Sequence, residues 1–201
     1  MTGKFIVIEG LDATGKSTLV AKLAEALNAN LLQCPPRLEA PEFIDGDLRS
    51  YFDDRPSAQR RAYYRAANLI ASEQAEVALQ AGHVVMDRYW TSTIAFAALD
   101  DDSDLDQEWQ GRYPPELLKP DTVILLTIDE ENRAKRMRGR GEPVTTEENN
   151  LAANTTRRET VLQIYRTFDP IEIDTSDLTR DAVLETVLAV LYRSGLDIIA
   201  I

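Results

Sequence analysis

Residues 5–18 read Phe5-Ile6-Val7-Ile8-Glu9-Gly10-Leu11-Asp12-Ala13-Thr14-Gly15-Lys16-Ser17-Thr18. The apolar run at the start predicts a buried strand, and Leu19 to Leu27 reads as a helix. Gly10 to Ser17 is therefore G-x-x-x-x-G-K-[ST] in the context that gives the pattern meaning, strand then loop then helix. Such a loop wraps a polyphosphate with backbone N–H groups, and its glycines let the chain curl close to the oxygens. The helix N-terminus adds positive dipole. The candidate nucleotide-binding residues are Gly10, Ala13, Thr14, Gly15, Lys16, Ser17 and Thr18. Lys16 supplies a mobile charge and Ser17 a hydroxyl for Mg²⁺. A glycine-rich turn that binds nothing is the competing reading, and the agreement of motif with context argues against it. A nucleoside triphosphate is the expected ligand, and the open question is which group accepts the phosphoryl.

Outward from this segment, five short apolar runs read as parallel strands: Phe5–Glu9, Leu31–Cys34, Val84–Asp87, Thr122–Ile128 and Ile171–Asp174. Helical patterns lie between them, at Ser57 to Ala81 (closed by Gly82), Thr145 to Phe168, and Thr179 to Tyr192. The alternation predicts an α/β domain of the P-loop NTPase class, a five-stranded parallel sheet flanked by helices. We expect a single domain over 1–201 with a short arginine-rich lid at about 133–147. The apolar tail 196–201 packs either on the core or on another copy of the chain, which leaves a homodimer open.

The 201 residues carry 34 acidic and 22 basic side chains, a formal charge of −12. That balance argues against a nucleic-acid binder and against an anionic membrane surface. Cys34 is the single cysteine, so neither an intrachain disulfide nor a cysteine zinc site is available. With no apolar run near the ~20 residues that span a bilayer, and a core strand beginning at Phe5, the expectation is a cytoplasmic protein without a leader peptide.

Four further constellations stand out. Val84-Val85-Met86-Asp87-Arg88 puts an aspartate at a strand end, where it holds Mg²⁺ directly or through water, and an arginine positioned for a second phosphate. A local salt bridge is the plain alternative. Cys34-Pro35-Pro36-Arg37 is a stiff loop at the carboxyl edge of the second strand, where ligands bind in open α/β sheets; a surface arginine beside an ordinary turn is equally consistent. Arg61, Tyr64 and Asn68 fall at i, i+3 and i+7 on one helix face. An aromatic ring to stack a base and an amide to read its edge would make a nucleobase pocket, against the simpler reading of a polar patch beside an alanine-rich core face. Finally, five cations fall within residues 133–140 (Arg133, Lys135, Arg136, Arg138, Arg140), with glycines at 139 and 141. They suit a lid over transferring phosphates, or a solvated helix paired with Glu130, Glu131 and Glu142.

Together these pieces resemble the thymidylate kinase family of P-loop nucleoside monophosphate kinases over nearly the whole chain. The opening Phe5 to Asp12 with Gly15 to Thr18, the Asp87-Arg88-Tyr89 triplet, Lys119-Pro120-Asp121, and Ala134 to Arg136 carry the likeness. Within the family, the segments Glu9 to Thr18, Phe52-Asp53-Asp54, Arg60 to Tyr64, Asp87 to Trp90 with Ser92-Thr93, and Glu116 to Asp121 are most similar to the UMP-CMP kinase 2 branch. The resemblance implies that Arg88 grips the acceptor phosphate with Arg37. It implies that Asp12 sits between donor and acceptor, that Arg136 lies near the donor adenine, and that Ser92 belongs to the acceptor site.

Two departures matter. The family's thymidylate enzymes carry Phe-x-x-x-Arg on the long helix, where this chain has Tyr64 and Asn68. An amide offers donor and acceptor and suits cytosine or uracil. Position 13 is alanine rather than the arginine some members place there, so the catalytic arginines would come from the lid, Arg138 and Arg140. The expected catalytic set is Lys16, Asp12, Arg88, Arg138 and Arg140; the substrate set is Asp12, Arg37, Arg61, Tyr64, Asn68, Arg88 and Ser92; the metal set is Ser17 and Asp87. The resemblance implies ATP and Mg²⁺ as cofactors and transfer to CMP, UMP or their deoxy forms. The rivals are a dTMP kinase, a deoxynucleoside kinase, and a nucleotide sensor without turnover.

Overall fold

The computed structural model describes residues 3–36, 51–100, 108–139 and 146–195. Arg37 and Arg140, the lid segment 140–145 and the tail 196–201 lie outside the described residues. The elements are β1 (Phe5–Gly10), α1 (Lys16–Ala26), β2 (Asn30–Gln33), α2 (Ser57–Ala78), β3 (Val84–Asp87), α3 (Trp90–Ala97), β4 (Thr122–Thr127), α4 (Glu130–Gly139), α5 (Thr146–Ala153), α6 (Thr155–Thr167), β5 (Ile171–Asp174) and α7 (Arg180–Arg193). All four strand pairings are parallel, in the order β2-β3-β1-β4-β5.

The five strands expected from sequence are present within a residue of their expected bounds. The helix expected from Thr145 to Phe168 is two helices. Asn154 breaks it: its backbone is extended, and its side chain accepts from Arg157 N, capping α6. A short side chain that competes for backbone N–H groups favours this cap over a continuous helix. Helix α2 ends at Ala78, short of the expected Ala81.

Strand alternation divides the core. Phe5, Val7, Val84, Met86, Val123 and Leu125 face α2, α3 and α6, where Ala71, Ala75, Trp90, Ile94, Val161 and Tyr165 meet them. Ile6, Ile8, Val85, Ile124 and Leu126 face α1 and α7, packing on Leu19, Leu23, Val187 and Leu191. Burial on both faces explains why β1, β3 and β4 read as continuous apolar runs, while the edge strands β2 and β5 alternate with exposed positions. Glu9 shares the parity of Phe5 and Val7 and is fully buried, which sends a carboxylate toward α3 and α6. The connection after β1 runs to β2 on one side of it, and the connection after β3 crosses to β4 on the other; the strand order therefore reverses at β1, and the crevice past its carboxyl end is where an open α/β sheet takes its ligand.

Candidate active site

The loop after β1 folds as its composition requires. Gly10 has φ 142°, and a Cβ there would sit 2.4 Å from Leu126 O, so only glycine fits. Gly15 is left-handed at φ 101° and precedes α1 without any side-chain cap, and no acidic residue stands in the first turn. The opening N–H groups of α1 therefore have no partner from a capping side chain, the condition that suits an anion. Thr14 Oγ1 closes the loop on Leu11 O at 2.9 Å. Lys16 is buried; its Nζ donates to Leu11 O at 2.8 Å and lies 3.9 Å from Asp12 Oδ1. Burial, with help from the Arg88 charge, lowers its pKa to about 8 against the pull of nearby carboxylates. Ser17, next in the chain, is exposed.

Beside the loop, β3 ends at Asp87. Its Oδ1 is buried and has no hydrogen-bond partner among the described residues. A buried carboxylate oxygen without a partner is costly unless a cation meets it. With the Ser17 hydroxyl and nucleotide phosphates, it gives the all-oxygen donor set that Mg²⁺ prefers, so the residues present fit that ion.

Arg88 then turns the chain, at φ 63°. A non-glycine residue held in the left-handed region marks a constrained geometry. Its guanidinium donates to Asp12 Oδ1 at 2.7 Å, to Ser92 Oγ at 3.2 Å and to Tyr165 Oη at 3.4 Å, and lies over the Phe96 ring at 5.6 Å. Burial works against its charge, but Tyr165, Asp12, Glu9 and Asp87 outweigh burial and hold its pKa above the usual value.

Behind Arg88 lies a network that sequence reasoning missed. Glu9 Oε1 accepts from Tyr89 N at 3.0 Å and Ser92 N at 3.2 Å, and Oε2 from Ser92 Oγ at 2.5 Å. Ser92 Oγ also meets Tyr165 Oη at 2.9 Å. Desolvation raises the Glu9 pKa to about 7 despite these bonds. The available signal was a glutamate on the core-facing parity of β1. Tyr165 gave no local signal, because its partners lie more than 70 residues away.

On α2, the expected face is partly engaged in the fold. Arg61 is buried, with Nε donating to Asp100 Oδ2 at 3.1 Å. Tyr64 is half-buried and donates its hydroxyl to Asp53 at 2.8 Å. Asn68 is fully buried, and its Nδ2 donates to Tyr64 O at 2.6 Å and to Thr93 Oγ1 at 2.7 Å.

The basic cluster divides. Arg133 is buried and forks onto Glu130 with bonds of 2.8 and 2.9 Å, a packing contact within α4. Arg136 reaches across to the nucleotide loop: Nη1 donates to Thr14 O at 3.3 Å, and Nη2 to Thr175 O at 2.6 Å. Thr175, also missed, donates from Oγ1 to Thr14 O at 3.1 Å. Arg138 is exposed in the last turn of α4.

Among the described residues, no helix is long and apolar enough to cross a membrane. Comparison with known proteins gives a consistent answer. The family model described as thymidylate kinase matches residues 8–185. Human UMP-CMP kinase 2, mitochondrial, is 37% identical over 202 aligned residues, covering 96% of this chain. The match spans 44% of the human protein, under half its length. A probable thymidylate kinase of Archaeoglobus fulgidus is 33% identical over 140 residues, covering 68% of this chain and 70% of its own. The solved thymidylate kinase of Candida albicans superposes with a TM-score of 0.75 at 21% identity, over 97% of this chain and 93% of that one. The chain belongs to the thymidylate kinase family and, with it, to the nucleoside monophosphate kinases.

Proposed function

We propose that the protein transfers the γ-phosphoryl group of ATP to a pyrimidine nucleoside monophosphate, CMP or UMP or their deoxy forms. A P–O bond to the ADP leaving group breaks, one to an acceptor phosphate oxygen forms, and a nucleoside diphosphate leaves with ADP. The observation that carries this reading is the pair of cations joined by Asp12: Lys16 on the nucleotide loop and Arg88 at the end of β3. Two fixed cations beside one carboxylate suit two phosphate-bearing substrates, donor and acceptor. A kinase acting on a hydroxyl needs only the first, together with a carboxylate base left free of such a pairing.

Transfer of this kind depends on positioning and charge neutralisation. The α1 N-terminus, Gly15 to Thr18 and Lys16 hold the donor phosphates. Arg136 braces the loop through Thr14 on the donor side. Arg88, oriented by Asp12, Ser92 and Tyr165, aims the acceptor phosphate with Arg37. Arg138 and Arg140 approach from the lid at about 133–147 of this one domain. Ser17 and Asp87 would hold Mg²⁺, which neutralises phosphate charge when bound. Tyr64 and Asn68 take the base, and Arg61 stiffens that wall from its place on Asp100. The single cysteine, Cys34, is buried, and a chain with one cysteine suits the reducing cytoplasm we assign as its compartment.

The test is ADP release with CMP, UMP, dCMP, dUMP, dTMP and the parent nucleosides as acceptors. Turnover of the first four above dTMP, with none for the nucleosides, is expected. A dTMP preference would transfer the reading to thymidylate. Nucleoside turnover would make a hydroxyl the acceptor, and no turnover at all would leave a sensor.

A further inference from the structure

We infer that Glu9 is a positioning residue for the acceptor phosphate, acting through Ser92, Tyr165 and Arg88, and that the monophosphate binds together with a proton on Glu9; this rests on the assignment of Arg88 to the acceptor phosphate made above. Glu9 is 0% exposed, near the end of β1. Three donors converge on its carboxylate: Tyr89 N at 3.0 Å and Ser92 N at 3.2 Å on Oε1, and Ser92 Oγ at 2.5 Å on Oε2. Ser92 has one hydroxyl hydrogen and gives it to the ionised carboxylate, so Tyr165 Oη donates to Ser92 Oγ at 2.9 Å. Both hydroxyl oxygens then accept from Arg88 Nη1, at 3.2 and 3.4 Å. A proton on Glu9 Oε2 reverses this chain without moving a heavy atom: the carboxyl donates to Ser92, and Ser92 to Tyr165. The guanidinium keeps both acceptors in either state, so what changes is charge.

Arg88 is balanced by Asp12 at 2.7 Å and, through space, by Glu9 and Asp87. Three carboxylates around one guanidinium weaken its attraction for a phosphate dianion, and a proton on Glu9 removes one of them. Conversely, a dianion on Arg88 offsets the charge that favours ionised Glu9. Acceptor and proton therefore each raise the other's affinity. The balance is poised near neutrality: burial lifts the Glu9 pKa to about 7 against its hydrogen bonds and the pull of Arg88. The other groups that face Glu9 hold their charge or carry none. Lys16, on the nucleotide loop, titrates at about 8. Burial raises the phenols of Tyr89 at the end of β3, Tyr113 in the segment 108–118 and Tyr165 on α6, which keeps them neutral. On α3 the neighbour is Ser92, and on β4 the register partner is Leu125.

The experiment measures CMP affinity by calorimetry without ATP, for wild type and Glu9→Gln at pH 6 and pH 8.5. dTMP is run in parallel, because the effect acts on the phosphate whatever the base. Glutamine reproduces the protonated form: its amide donates to Ser92 Oγ, and its oxygen accepts from Tyr89 N and Ser92 N. The two proteins should bind CMP alike at pH 6, and at pH 8.5 the variant should bind on the order of fivefold tighter. Comparing the proteins at each pH cancels the titration of the phosphate itself. A variant that binds no tighter at pH 8.5, or more weakly at both pH values as a purely structural role requires, would overturn the inference. Wild type alone supplies a second reading should the variant fold poorly. At pH 7, calorimetry in buffers of different ionisation enthalpy should show net uptake approaching about half a proton per nucleotide bound, because Glu9 is half ionised there. No uptake, or release, would overturn the coupling while leaving the kinase standing. A protein that binds neither nucleotide would overturn the Arg88 assignment and the inference with it.

Discussion

Arg88 Nη2 donates to Asp12 Oδ1 at 2.7 Å, and the same oxygen lies 3.9 Å from Lys16 Nζ. One carboxylate thus couples the cation of the nucleotide loop to the cation at the end of β3. It also explains the strained backbone of Arg88: left-handed φ reverses the chain so that the guanidinium returns toward β1. Asp12→Asn keeps the shape and removes the charge that holds Arg88. We expect kcat/KM for the monophosphate to fall on the order of 10²-fold, because a charge-assisted contact that positions a transition-state charge is lost. ATP affinity should change far less. Steady-state kinetics with each substrate varied in turn distinguish this from a general loss; an unchanged acceptor kcat/KM would show that Asp12 holds nothing the reaction uses.

Lys16 gives a pH prediction. Its folded pKa is lowered to about 8, first by burial and then by Arg88. The free protein therefore loses this charge as pH rises through about 8, and kcat/KM for ATP should decline above that point, approaching tenfold per pH unit. Lys16→Arg keeps its charge and should lack the alkaline limb, while Lys16→Ala should lose on the order of 10²-fold or more in turnover. The linkage sign is opposite for folding. Between the lowered value and the ordinary one the unfolded chain binds more protons, so this group's contribution to stability rises with pH across that window.

Glu9 gives the complementary case. Burial raises its pKa from 4.5 to about 7, so the folded protein holds a proton that the unfolded chain has released. Its contribution is full below the unfolded value and is lost as pH rises through the folded one. Over that range wild type should lose on the order of 3 kcal/mol relative to Glu9→Gln. Urea melts of both proteins at pH 5 and pH 8 measure the difference directly. Parallel curves at the two pH values would mean that Glu9 titrates at an ordinary pKa.

The nucleotide loop and sheet were legible because their signals are local: glycines at fixed spacing, a helix start directly after them, and short apolar runs, buried on both faces in β1, β3 and β4. Asp87 and Arg88 could be singled out for the same reason, at one strand end, and Ser92 through the family resemblance. The network behind them was not. Glu9 meets Ser92 across 83 residues and Tyr165 meets Ser92 across 73, and no spacing rule spans such distances. The break at Asn154 was missed because the residues on both sides of it carry a helical pattern, so the cap signal of a single asparagine was passed over. Arg61 read as a ligand residue from its helix face, but Asp100, which engages it, sits on the far side of β3 in sequence. The charge cluster at 133–140 was legible as a cluster only; its division into Arg133 for packing and Arg136 for the loop depends on which way each turn of α4 faces.

Arg136 and Thr175 supply the last prediction. Arg136 binds Thr14 O and Thr175 O, while Thr175 Oγ1 donates to Thr14 O at 3.1 Å and lies 3.0 Å from Thr127 O. The end of β5, the end of β4 and the nucleotide loop thus meet at one fully buried hydroxyl. Thr175→Val retains the volume and removes the hydroxyl, leaving Thr14 O with the longer 3.3 Å bond from Arg136. We expect a stability loss of about 1–3 kcal/mol, read by chemical denaturation. The KM for ATP should rise several-fold, and the KM for the monophosphate should stay near wild type, because Arg88 and Asn68 are untouched. Arg136→Ala should raise the ATP KM further, since it removes a brace on the loop and a cation that we assign to the donor side. A Thr175→Val protein with unchanged ATP kinetics but a raised acceptor KM would reverse the assignment of donor and acceptor sides, placing the β5 end against the monophosphate.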